Sequence, residues 1–118
     1  MRFMFIVKSA RVGAPPPALL EAMHKLADRE IKAGRMLDSG GLMPVATGAE
    51  VRIKGGQLSV VDGPFVEAKE VIGGYAVFDL RDKEEALASA KEFMQLHKEH
   101  FPGWEGVCEL RAFAAGGP

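Results

Sequence analysis

The fold is decided first by residues 2–8, which read RFMFIVK. The run holds five consecutive apolar side chains, rich in strand formers, and it ends at Lys8 and Ser9. This pattern is typical of a β-strand that is covered on both faces. Residues 75–78, which read YAVF, predict a second strand of the same kind. Because both strands are apolar front and back, their sheet needs a packed layer on each side.

Two amphipathic helices supply one of these layers. The first is predicted over residues 17–33, where Pro17 suits the first helical turn and apolar residues recur at helical spacing. The second follows Asp82, a good N-cap, with Glu84 and Glu85 in the first turn where the helix dipole favours negative charge, and it runs to residue 100.

The remaining strands complete an α+β architecture. Residues 35–42 predict a weak strand, residues 51–61 a β-hairpin turning at Gly55-Gly56, and residues 107–113 a last strand. This order predicts a ferredoxin-like sandwich with an inserted hairpin, formed by residues 1–118 as a single domain. Two helices cover only one sheet face, so we expect a homodimer packed sheet to sheet, a dimeric α/β barrel.

Composition excludes several classes of function. The 118 residues include 15 basic and 16 acidic side chains, so no basic field favours nucleic acid or an anionic membrane. No apolar run is long enough for a membrane span or a signal-peptide core. The single cysteine, Cys108, cannot form an intrachain disulfide or a multi-thiolate metal site, which favours the cytosol.

One segment resembles a known family signature. Residues 61–70 read VDGPFVEAKE and are followed by Gly73-Gly74-Tyr75, which resembles the signature of the DGPF family of YCII-related domains. Residues 33–44 and 96–111 are similar to the same group. The resemblance implies a dimeric α/β barrel with muconolactone isomerase-like relatives. It also implies that most members lack an established activity, and that some are found beside or within sigma-type transcription regulators.

Acidic residues near this signature are the first catalytic candidates. Asp62 precedes a Gly-Pro turn at a strand end, where it would act as a general base or hydrogen-bond acceptor, or else cap the turn through its own backbone. Glu67 and Glu70 lie in the following loop, where two close carboxylates would form an acid and a base. A solvated loop with a local ion pair to Lys69 is the alternative.

Histidines supply a second set of candidates. His97 falls near the middle of the apolar face of the second helix, so it is a proton-transfer group or a buried histidine held by one partner, for which Glu109 is available. His100 is three residues away, but no third ligand accompanies the pair, so no metal is expected. His24 lies on the rim of the first helix. Related YCII domains place a histidine there and an aspartate near the following strand.

Three further residues are candidates for substrate binding. Glu109 and Arg111 share one face of the last strand, where Arg111 would bind an anionic substrate or form a structural ion pair. Glu30 lies close to the centre of the apolar stripe of the first helix, so its carboxylate needs a partner or marks a polar cavity.

Two functions follow from these candidates. The first is a cofactor-independent enzyme that moves protons on a small polar or cyclic organic substrate, with neither metal nor organic cofactor. The alternative is a noncatalytic dimer that senses a ligand or docks on a sigma-type regulatory protein through the hairpin and the acidic loop. The fold alone cannot choose between them.

Overall fold

A computed structural model describes residues 1–10, 14–63 and 71–115. Eight regular elements follow one another, with a short 3-10 turn at Val45–Thr47 between the third and the fourth. The elements are β1 (Arg2–Ser9), α1 (Pro17–Lys32), β2 (Met36–Gly41), β3 (Ala49–Lys54), β4 (Gln57–Asp62), β5 (Val71–Asp79), α2 (Lys83–His100) and β6 (Val107–Ala112).

Four strands form an antiparallel sheet in the order β2-β5-β1-β6. The two strands that are apolar on both faces, β1 and β5, therefore lie at its centre. Phe3 pairs with Phe78 on one side and with Ala112 on the other, which sets the register of all three strands. This strand order, with α1 following β1 and α2 preceding β6 along the chain, is the ferredoxin-like α+β arrangement that the sequence predicts.

The hydrophobic core lies between this sheet and the two helices. Phe3 and Phe5 of β1 are each 3% exposed, and the rings of Phe5 and Phe78 stack with centroids 4.5 Å apart. Ala86 and Ala90 of α2 close over them, because small side chains let the helix approach the sheet. The side chain of Asp82 caps α2 by accepting a hydrogen bond from the Glu85 amide at 2.9 Å, as its position predicts.

The strand β5 extends further than its sequence suggests. The strand predicted over residues 75–78 begins at Val71, so Gly73 and Gly74 lie inside it, beside a bulge opposite Val7 and Lys8. A Cβ at Gly74 would stand 3.1 Å from the Gly40 carbonyl oxygen, so glycine lets β2 and β5 approach closely. Pairing with strands on both sides therefore outweighs the weak strand preference of two glycines.

Within residues 1–10, 14–63 and 71–115, no layer lies over the sheet face opposite the helices; we call it the open face. The described residues that contribute to its middle include Met4, Ile6, Lys8, Asp38, Gly40, Tyr75, Val77, Glu109 and Arg111. The shortest extent of the Cα trace is 20 Å, which equals one helix layer and one sheet layer. The chain exposes 8474 Å², whereas a compact monomer of 12.7 kDa exposes about 6,200 Å².

The strands β3 and β4, which lie between β2 and β5 along the chain, form a separate two-stranded sheet. In the parts of the chain that the structure describes, they pack chiefly against each other. The amide of Gly63 donates a hydrogen bond to the Gly48 carbonyl oxygen at 2.9 Å, which closes the base of this hairpin. Because two layers already account for the thickness of the molecule, the hairpin extends sideways.

Candidate functional site

The centre of the open face is apolar. Side chains alternate along a strand, so the inward packing of Phe3 and Phe5 turns Met4 and Ile6 to the open face. Val77 pairs with Met4 and continues the apolar centre on β5. All three side chains are half-buried by their neighbours, although none of the described residues forms a layer over the face. Polar groups flank this centre on both sides.

Asp38 and Tyr75 form the polar group on the β2 side. A bulge between Met36 and Asp38 turns the Asp38 carboxylate to the open face, where the Tyr75 hydroxyl donates a hydrogen bond to its Oδ2 at 3.2 Å. The ring of Tyr75 lies over Gly40, where a Cβ would stand 3.1 Å from Cε1. The hydrogen bond to Asp38 raises the pKa of Tyr75 above its usual 10.0, so the phenol keeps its proton at neutral pH.

Lys8, Glu109 and Arg111 form the polar group on the other side. The Lys8 ammonium donates to Oε1 of Glu109 at 2.7 Å, and Nε of Arg111 lies 3.6 Å from Oε2. The hydrogen bond from Lys8 lowers the pKa of Glu109, so this carboxylate is ionised at neutral pH. The Arg111 side chain is 71% exposed, which leaves most of its guanidinium available to a further anion.

The size of the open face suits a small molecule. Asp38, Val77, Met4 and Arg111 stand in one row across the four strands. With strands about 4.8 Å apart, the outer two residues of the row are about 14 Å apart at their Cα atoms. The apolar floor is thus about as wide as a small organic molecule. Carboxylate, phenol, ammonium and guanidinium groups surround it.

His97 lies on the helix side of the sheet, away from this group. It is 7% exposed, its Nδ1 donates to the Phe93 carbonyl oxygen at 3.1 Å, and its ring packs 4.6 Å from that of Trp104. Burial lowers the pKa of His97, so the ring is neutral at physiological pH. Glu109 belongs to the open face and pairs with Lys8, so the sheet separates it from His97.

Asp62, the first acidic candidate of the signature segment, belongs to the β3–β4 sheet and not to the four-stranded sheet that carries the open-face groups. Asp62 is exposed at the end of β4, opposite Ala49 at the base of the hairpin. Glu67 and Glu70 lie outside the described residues. Asp62 and the open-face groups therefore belong to different sheets, and His97 lies on α2.

Glu30 has both a partner and a polar cleft. It is 4% exposed and accepts hydrogen bonds from Nε of Arg35 at 3.2 and 3.1 Å, with Arg29 Nε at 3.4 Å. The hydrogen bonds from Arg35 lower the pKa of Glu30 despite its burial. With Glu85 and Glu92 it lines a cleft of about 460 Å³ between the helices, on the side of the sheet opposite the open face.

A comparison with protein families matches residues 1–98 to the YCII-related domain. The chain belongs to the YCII-related family. An uncharacterized protein of Rhizobium meliloti (strain 1021) is 34% identical over 62 residues, which cover 52% of this chain and 50% of that relative. The match thus spans about half the length of the curated relative, and the family and the relative leave the activity open.

In this YCII-related chain, sequence reasoning missed Lys8, Asp38 and Tyr75. Two signals pointed to them: related YCII domains place an aspartate near the strand that follows the first helix, and the signature resemblance includes the tyrosine after Gly73-Gly74. His24, at the position where the resemblance implies a histidine on the first helix, is exposed on α1. Lys8 gave no signal of its own, because its partner is 101 residues away along the chain.

Two absences hold for this YCII-related chain within the described residues. In residues 1–10, 14–63 and 71–115, no cluster of three or more histidine, cysteine or acidic side chains is arranged to hold a metal ion. No helix in the same parts of the chain combines the length and the apolar character needed to cross a bilayer.

Cys108 is half-buried against the core, and burial raises the pKa of its thiol to about 11.

Proposed function

We propose that this YCII-related chain binds a small polar or cyclic organic molecule on its open face, and that a second copy of the chain closes the chamber. Within it, Asp38 and Tyr75 would transfer a proton without a metal or an organic cofactor. The observation that carries this proposal is the hydrogen-bonded Asp38–Tyr75 pair beside an apolar floor, on a face that no described part of the chain covers.

Surface area supports a second copy. The chain exposes about 2,200 Å² more than a compact monomer of its mass would. A standard interface takes about 800 Å² from each partner, so the excess is large enough for one. Closing the open face would also exclude water from its polar groups, which strengthens their electrostatic effect on a bound molecule.

The chemistry follows from the protonation states. The Asp38 carboxylate would act as general base and remove a proton from a carbon beside a carbonyl group. The Tyr75 phenol, which keeps its proton, would donate a hydrogen bond to the carbonyl oxygen as negative charge develops there. Arg111, across the floor, would bind an anionic substituent of the same molecule.

Proton exchange tests the reaction class. A panel of small cyclic ketones and lactones in D₂O is followed by ¹H NMR for loss of the proton next to the carbonyl group. We expect exchange above the buffer rate, reduced about 100-fold to 10,000-fold in Asp38→Asn and lowered in Tyr75→Phe. Asp62→Asn is the comparison, because Asp62 is the residue that the signature segment favours. Loss of exchange in Asp62→Asn alone would contradict the role of Asp38.

The Asp38–Tyr75 pair is tested separately by titration. Tyr75 is the single tyrosine of the chain, so tyrosinate absorbance near 295 nm reports its ionisation alone. Asp38→Asn should lower the pKa of Tyr75 toward 10.0, because the negative charge that opposes ionisation is gone. Asp62→Asn should leave the titration unchanged. An unchanged curve in Asp38→Asn would refute the pairing.

A noncatalytic ligand-sensing dimer is the second candidate. It is favoured by the state of Glu109, which Lys8 and Arg111 already neutralise, and by the position of His97 behind the sheet. In that case the panel compounds would bind, seen as chemical-shift changes of open-face residues, with no proton exchange. The docking of such a dimer on a sigma-type regulator would be a further step.

A further inference from the structure

The β3–β4 hairpin is amphipathic, with an apolar face that nothing in the described chain covers. Two cross-strand pairs, Val51 with Val60 and Ile53 with Leu58, stand on the same face. These four side chains are 69% to 75% exposed. The opposite face carries Arg52 across from Ser59, beside Glu50 and Lys54. The hairpin therefore has one side suited to solvent and one suited to burial.

Leaving this face in water is costly for so small an element. An isolated two-stranded hairpin is at best marginally stable in water and needs a packed face to persist. Each of the four apolar side chains offers about 100 Å², so the patch amounts to roughly 400 Å². A contiguous apolar patch of a few hundred Å² is about the largest that soluble monomers expose, and such patches are often functional.

We propose that the apolar face of the hairpin packs against the second copy of the chain, so that the two hairpins clamp the dimer on either side of the sheet contact. This inference rests on the proposed dimer. The hairpin extends sideways from the β2–β5 edge of the sheet, since the molecule is only 20 Å thick.

Area indicates that the occupant is a second copy. Four strands about 4.8 Å apart, each paired over about six residues, give the open face a flat footprint of about 400 Å². Even with the relief of its side chains, this falls short of the roughly 800 Å² that each partner of a standard interface buries. The hairpin patch supplies the missing area. A two-fold axis buries both hairpins and both open faces in one association step.

The test compares two adjacent residues of β4 that face opposite ways. Val60→Lys places a charge on the apolar face, and Ser59→Lys places the same charge on the polar face. Both residues are exposed, and neither contributes to the helix-covered core. Sedimentation equilibrium of the full chain gives the dimer dissociation constant. We expect Val60→Lys to raise it at least 10-fold and Ser59→Lys to change it less than twofold.

Four results decide the matter. Circular dichroism should show the same fold in both variants, and the milder Val60→Ala should weaken the dimer by an intermediate factor. Equal dissociation constants for Val60→Lys and Ser59→Lys, in a chain that dimerises, would overturn the clamp and leave the proposed chamber standing. A wild-type chain that stays monomeric at high micromolar concentration would overturn both.

Discussion

The substitution Gly106→Ala should destabilise the fold, because the position is crowded from two directions. A Cβ at residue 106 would stand 2.3 and 2.4 Å from two ring carbons of Trp104 and 2.6 Å from the Lys8 carbonyl oxygen. Neighbouring carbon atoms normally keep about 3.5–4.0 Å apart, so the indole or the strand would have to move by about 1 Å.

Neither neighbour of Gly106 can move without cost. The Trp104 ring packs against His97, with centroids 4.6 Å apart, and against Phe101. Lys8 lies in β1, which pairs with a strand on each side. Overpacking of this kind costs about 1–3 kcal/mol. For a domain of this size, such a loss corresponds to a melting temperature about 4–12 °C lower.

Urea unfolding followed by circular dichroism measures the loss, with Gly41→Ala as the matched control. Gly41 is also a glycine at the sheet, but a Cβ there would meet nothing within 4 Å. Its replacement should leave stability unchanged or raise it by up to about 1 kcal/mol. In a Trp104→Leu background the cost of Gly106→Ala should shrink and not vanish, because the Lys8 oxygen remains. Equal stability of the two alanine variants would refute the reasoning.

Three other predictions concern titration and reactivity. Burial lowers the pKa of His97, so the unfolded chain binds a proton at this residue more readily than the folded chain. The free energy of unfolding should therefore fall as the pH drops below about 6.5, and His97→Phe should reduce this pH dependence in urea titrations. Because the pKa of Cys108 is about 11, its reaction with Ellman's reagent at pH 8 should be roughly 100-fold slower in the folded chain than in urea. Arg35→Met should destabilise the chain more than Lys32→Met at pH 7, since Arg35 holds the buried Glu30 carboxylate. The difference in stability between the two variants should shrink as the pH falls from 4.5, the ordinary pKa of Glu30, through the lower pKa of Glu30 in the folded chain. Equal losses of stability in the two variants across this pH range would contradict the role of Arg35.

The elements that periodicity defines were predictable from the sequence. The apolar run of β1, the helical stripe of α1 and the Asp82 cap of α2 depend on contacts within a few residues. The alternation of β6 likewise separates Glu109 and Arg111 from the core side of the strand. The long extent of β5 was not predictable, because its glycines are held by pairing with strands elsewhere in the chain.

The sequence by itself determined the class of fold, the side chains that pack under the helices and the presence of a face without a cover. Tertiary structure alone decided which polar groups meet there. Tyr75 reaches Asp38 across 37 residues, and Lys8 reaches Glu109 across 101. Such pairs depend on strand register and on a bulge in β2, which are set by hydrogen bonds between distant segments. Local sequence patterns do not specify that register, so the candidate site can be identified only from the assembled sheet.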